Sequence, residues 1–102
     1  MIHVVTLTYL RPVEDINQHL DAHKRWLIDN VRQGKVILAG PMENRTGGLL
    51  LASCSDREEL DAMMAQDPFI ESGVASYEVY ACVPALASLQ LPPHWAPLAK
   101  FV

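Results

Sequence analysis

The chain has 102 residues, half of them hydrophobic, with 12 acidic and 8 basic side chains and a net charge of −4. That length fits one domain and leaves no room for two. With no basic stripe the composition argues against nucleic acid or an anionic membrane as partner, and no apolar run reaches the roughly 20 residues of a membrane span.

Ile2 to Tyr9 is rich in β-branched residues and free of breakers, so it reads as a strand that begins at once, with no basic, signal-like start. Arg11-Pro12 ends it. Pro12 suits a first helical turn, and Glu14 and Asp15 favour the positive end of a helix. Ile16, Leu20, His23, Leu27 and Val31 then recur at helical spacing, and Gly34 is a natural stop. A second strand runs through Val36-Ile37-Leu38-Ala39 to Gly40-Pro41. Glu43 to Gly48 reads as a hairpin loop closing on a glycine pair, and Leu49 to Cys54 as the return strand.

Ser55-Asp56-Arg57-Glu58 has the S-x-x-E form of a capping box, with Leu60, Met63 and Met64 on the buried side of the helix that follows. Asp67-Pro68 ends that helix, because a residue before proline avoids the α region. Phe69 to Gly73 reads as a connection. Ala75 to Val83 alternates as a last strand, with Tyr77, Val79, Ala81 and Val83 on one face and Glu78, Tyr80 and Cys82 on the other. The remainder, 84–102, is a proline-rich extension read as irregular, with one short helical turn near Ala85 to Leu89.

The order β-α-β-β-α-β predicts an α+β fold of the ferredoxin-like plan, with two helices on one face of a four-stranded antiparallel sheet. The other face is then bare in a monomer. The apolar excess predicts a homodimer or higher homo-oligomer that covers it. Cys54 and Cys82 are isolated and form neither a disulfide framework nor a metal motif, which points to reduced thiols and a cytoplasmic setting.

Two residues could carry chemistry. His23 lies in the inward stripe of the first helix, where a histidine is ordinarily a satisfied core residue. Its pairing with His19 at i,i+4 has metal-like spacing but no third ligand, so no metal is expected. Asp67 would sit at a helix C-terminus, where a carboxylate is disfavoured, and so calls for a partner. A histidine would suit. A carboxylate on one imidazole nitrogen fixes the tautomer and makes the other nitrogen a better base. Trp26 either lines a pocket or pads the core, and Gly40-Pro41 and Gly48 either let backbone approach a ligand or only turn the chain. No phosphate loop or nucleophile elbow occurs.

The segment from His19 to Leu27, then Gly34 through Gly40-Pro41, Thr46-Gly47-Gly48, and Asp67-Pro68-Phe69 with Gly73 and Tyr77 resembles the YCII-related (DGPF-type) family over residues 1–83. The resemblance implies a dimeric α+β barrel type of fold. It also implies a His-Asp catalytic dyad at His23 and Asp67, and Phe69 is expected beside the substrate pocket with Trp26, Gly40, Pro41 and Gly48. One branch of that family dehydrochlorinates chlorinated hydroxyhydroquinones. The implied function is cofactor-free acid–base chemistry, of lyase, isomerase or dehydrochlorinase type, on a small cyclic or phenolic molecule. The alternative is a non-catalytic module that binds a small molecule with the same fold. The extension, 84–102, lies outside the resemblance and is read as a subunit contact.

Overall fold

A computed structural model describes all 102 residues. Strand β1 (Ile2–Tyr9) leads into helix α1 (Val13–Arg32), then the hairpin β2 (Val36–Pro41) and β3 (Gly47–Ser53). Helix α2 (Arg57–Met64), a single-turn helix α3 (Pro68–Glu71) and strand β4 (Ala75–Cys82) complete the main unit. The sheet is antiparallel throughout, in the order β2-β3-β1-β4. This is the expected α+β, ferredoxin-like plan.

The register explains which residues meet the helices. Val5 pairs with Leu50 and Val79, and Leu7 with Gly48 and Tyr77, so these side chains share one face. Val5, Leu7, Leu50 and Ala52 are buried there beneath α1, α2 and α3, joined by Leu60, Met63, Met64 and Phe69. Each fully buried side chain of this size contributes roughly 1.5–3 kcal/mol. On the opposite face Val4, Leu49 and Leu51 are only half-buried, while Leu38 and Tyr80 are exposed. No helix is long and apolar enough to cross a membrane.

Four local expectations change. The Gly47-Gly48 pair belongs to β3 and not to the hairpin loop. A Cβ at Gly47 would lie 1.7 Å from the Leu7 carbonyl oxygen, so glycine is required by the approach of β1. The cap of α2 sits one residue later than the S-x-x-E reading. Asp56 is the N-cap and accepts from Glu59 N at 2.8 Å, while the Glu59 carboxylate reaches back to Ser55 N at 3.0 Å. Ser55 and Asp56 are both good caps, and the extended backbone of Asp56 decides between them.

In the last turns of α1, Asn30 is buried and Val31 is exposed. Residues at spacing of seven (Ile16, His23, Asn30) hold the inward line of a helix with 3.6 residues per turn better than Val31 does. Asn30 tolerates burial because its side-chain amide donates to Trp26 O at 2.8 Å. The extension has no helical turn at Ala85 to Leu89. Strand β5 (Leu86–Ala87) pairs in parallel with β6 (Lys100–Phe101), across a 3-10 turn at Pro93–Trp95.

Candidate functional site

The stripe of α1 divides along its length. Trp26 and Asn30 turn towards the packed core, whereas Leu20 and Leu27 border a cavity of about 600 Å³ between α1, the β2–β3 hairpin and Phe69. His23 lies on the boundary. It is buried yet lines the cavity.

Asp67 reaches it from the other side. The chain leaves α2, turns through Gln66, and meets Pro68, which holds Asp67 extended at φ −65° and ψ 121°. Pro68 is itself the first residue of α3, a position where its missing N–H costs nothing. Asp67 is therefore an N-cap, and its carboxylate stands at the favourable end of a helix. The expected placement at an unfavourable helix C-terminus is thus corrected. Asp67 Oδ1 accepts from Phe69 N at 3.0 Å and from His23 Nδ1 at 2.7 Å, wholly buried. Its Oδ2 is buried without a hydrogen-bond partner.

Phe69 completes the clamp. Its ring stacks on the imidazole with centroids 3.9 Å apart and planes 9° apart, and Tyr9 meets the Phe69 ring edge-on at 5.9 Å. Asp67 thus fixes the imidazole in its plane and Phe69 fixes the plane itself. A carboxylate bonded to Nδ1 places the ring proton on Nδ1. Nε2, with no partner in the chain, keeps its lone pair. Such a nitrogen at the wall of a cavity can take a proton and return it.

Of the residues singled out from the sequence, His23, Gly40, Pro41, Gly48 and Phe69 line this cavity, and Asp67 stands behind His23. Trp26 does not line it. Its ring packs in the core cluster, 5.9 Å from the His23 ring, with its indole nitrogen buried and unpartnered. Gly48 is on a central strand, whose amides point in the sheet plane at neighbouring strands and not into the cavity. Cys54 is buried, and burial pushes its thiol up, so it holds no ready thiolate. No three or more His, Cys, Asp and Glu side chains converge as a metal-holding group. Tyr9, Lys24 and Arg45 also line the cavity, beyond the residues expected from the sequence. Lys24 adjoins His23 in sequence, which was the one local signal for it. Nothing local placed the hairpin tip over α1.

Comparison with solved structures gives the 5-chloro-2-hydroxyhydroquinone dehydrochlorinase TftG from Burkholderia phenoliruptrix AC1100, in complex with 2,5-dihydroxybenzoquinone. It aligns with a TM-score of 0.69 at 19% identity, over 80% of this chain and 93% of that one, which speaks for a common fold. No curated protein matches the chain. The model of the YCII-related domain matches residues 1–83. With four-fifths of its length inside that domain and the matching α+β sheet behind it, the chain belongs to the YCII-related family.

Proposed function

We propose that the protein is a cofactor-free acid–base enzyme that removes HCl, or shifts a proton, on a small hydroxylated ring. The observation that carries this is the buried His23–Asp67 bond of 2.7 Å at the wall of a mostly apolar cavity. A structurally similar protein that dehydrochlorinates a hydroquinone agrees with it.

In this reading His23 Nε2 is the base and Asp67 orients it. For a chlorinated hydroxyhydroquinone the chemistry balances without a redox partner. His23 takes a proton from a ring hydroxyl and returns it to the carbon bearing chlorine, giving a keto form. A second ring hydroxyl then gives its proton to His23. Its electron pair moves through the conjugated ring to expel chloride and leave a quinone. The net loss is HCl. Positioned proton transfer of this kind contributes about 10²–10⁴-fold.

The test is chloride release and quinone absorbance from a panel of chlorinated hydroquinones, catechols and lactones, with wild type and His23→Gln. Activity in the wild type and its loss in a folded His23→Gln variant is the expected result. Turnover that persists in that variant, or tight binding without turnover in the wild type, would sink the proposal. The reading also has the protein acting as a cytoplasmic homodimer through the half-open sheet face, with 84–102 touching the partner. Solution mass of the full chain against one ending at Val83 checks this. The main core cluster runs from Val5 to Ala75, with only Ala96 buried in the extension, so the shorter chain should fold and show a weaker dimer.

A further inference from the structure

The dyad does not account for the charge around the cavity. The deep wall is apolar, with Leu7, Ile16, Leu20, Leu27 and Leu50. The charged side chains of the lining other than His23 are Lys24, Glu43 and Arg45. Lys24 projects from the flank of α1 that also carries Leu20 and Leu27. Arg45 is at the tip of the β2–β3 hairpin, across the cavity from it. The ion pairs of the chain are Arg11–Asp15, His23–Asp67 and Arg57–Asp61, so both rim cations are left without a carboxylate. In a chain of net charge −4 this makes the mouth a local exception.

Arg45 has a second peculiarity. It is the one non-glycine residue with positive φ, 62°. The turn is held by Arg45 N donating to Met42 O at 2.9 Å and by Thr46 N donating to Asn44 Oδ1 at 3.1 Å. Glycine takes such a position without strain, so the backbone here gains nothing from an arginine.

We infer that Lys24 and Arg45 are specificity-determining residues that select an organic anion: a flat ring whose ionised hydroxyl or carboxylate sits at the cavity mouth while its reacting edge meets His23 Nε2. This rests on the cavity being the substrate site of the proposed function. Glu43 works against the anion and keeps the rim from holding one indiscriminately. An exposed cation contributes a few-fold, and its attraction is screened by salt.

The probes are 2,5-dihydroxybenzoquinone and 2,5-dihydroxybenzoate, against the neutral 2,5-dimethoxybenzoquinone and methyl 2,5-dihydroxybenzoate, titrated calorimetrically into the full chain at low and high salt. The anions should bind more tightly than their neutral counterparts, with a margin that shrinks in salt. Arg45→Gly, which relieves the positive φ, and Lys24→Gln should each weaken the anions about three- to fivefold. They should leave the neutral probes unchanged, and Glu43→Gln should tighten the anions. Charge-blind binding, equal weakening of anionic and neutral probes in the rim variants, or no binding by any probe would overturn the inference. The dyad is judged separately, because His23→Gln should lose turnover and keep the preference for anions. A preference that persists without any His23-dependent turnover leaves the rim standing and removes the dyad.

Discussion

Replacing Asp67 by asparagine and by alanine separates what the carboxylate does for the fold from what it does for the histidine. Asp67 Oδ1 accepts two hydrogen bonds in a fully buried setting, from His23 Nδ1 and from Phe69 N. Alanine removes this shared acceptor and strands two buried donors, at about 1–3 kcal/mol each. The expected loss is about 2–6 kcal/mol, out of the 5–15 kcal/mol that hold a domain of this size. At about 4–8 °C per kcal/mol, Tm should fall by at least about 10 °C. Asparagine keeps an oxygen for both bonds and puts its amide where Oδ2 already lacks a partner. Its expected cost in stability is about 1 kcal/mol. Its cost in rate is larger, because an uncharged acceptor raises the basicity of Nε2 less, and an amide flipped to donate to Nδ1 would select the Nε2–H tautomer instead. The rate should fall about 10²–10⁴-fold, which is about 3–5 kcal/mol in the barrier. Urea unfolding, chloride release and the ring-nitrogen NMR shifts of His23 measure the three effects. An Asp67→Asn protein with a wild-type rate and an unchanged His23 tautomer would refute the reasoning and reduce Asp67 to a helix cap.

Phe69→Leu keeps most of the buried volume, so it should cost under about 1.5 kcal/mol. It removes the ring stacked on His23 and should lower the rate about tenfold or more; a rate that falls no more than stability does would deny Phe69 a positioning role. His3 is buried with both ring nitrogens unpartnered, and burial first, then the positive N-terminus and Arg57, push its pKa down. As pH falls the unfolded chain therefore binds a proton before the folded one does, so stability should drop below about pH 6.5, by at most about 1.4 kcal/mol per pH unit. Urea midpoints at pH 7.5 and 5.5 should differ in the wild type and converge in His3→Leu; an identical pH slope in the two proteins would contradict this. Gly47→Ala should unfold or severely weaken the protein, since its Cβ meets the Leu7 backbone. Gly34→Ala, at φ 78° with nothing within 4 Å, should cost only about 1 kcal/mol. Thermal melts showing equal losses at the two glycines would be at odds with the register.

The element order and the inward face of α1 were legible because they rest on periodicity and breakers, which are local. The errors fall where one residue has two local meanings. Pro68 both stops a helix and opens one, and only the second role turns Asp67 into a cap. Ser55 and Asp56 compete for one cap, and the sequence favours neither. Gly47-Gly48 reads as a turn, yet the demand for glycine comes from Leu7, some forty residues away in the chain. The pairing of Leu86–Ala87 with Lys100–Phe101 is likewise non-local. His23 and Asp67 stand out from helix position and side-chain chemistry, and the family resemblance implies that they form a dyad. Periodicity alone placed His23 on the inward face, but it does not distinguish a face against a packed core from a face against an open cavity.

That distinction is what gives the tripeptide Asp67-Pro68-Phe69 its meaning. Pro68 holds Asp67 extended, and the extended residue can cap Phe69 N. The cap in turn sets the direction of the first turn of α3, which carries the Phe69 ring onto the imidazole. One backbone constraint therefore delivers both the in-plane partner of His23 and the surface on which its ring lies. Neither contact requires a residue from the hairpin side of the cavity, where the rim cations meet solvent. In the proposed reading the base is built on the core and one of the two rim cations on the hairpin, so changes at Arg45 should alter what binds without disturbing the His23–Asp67 geometry.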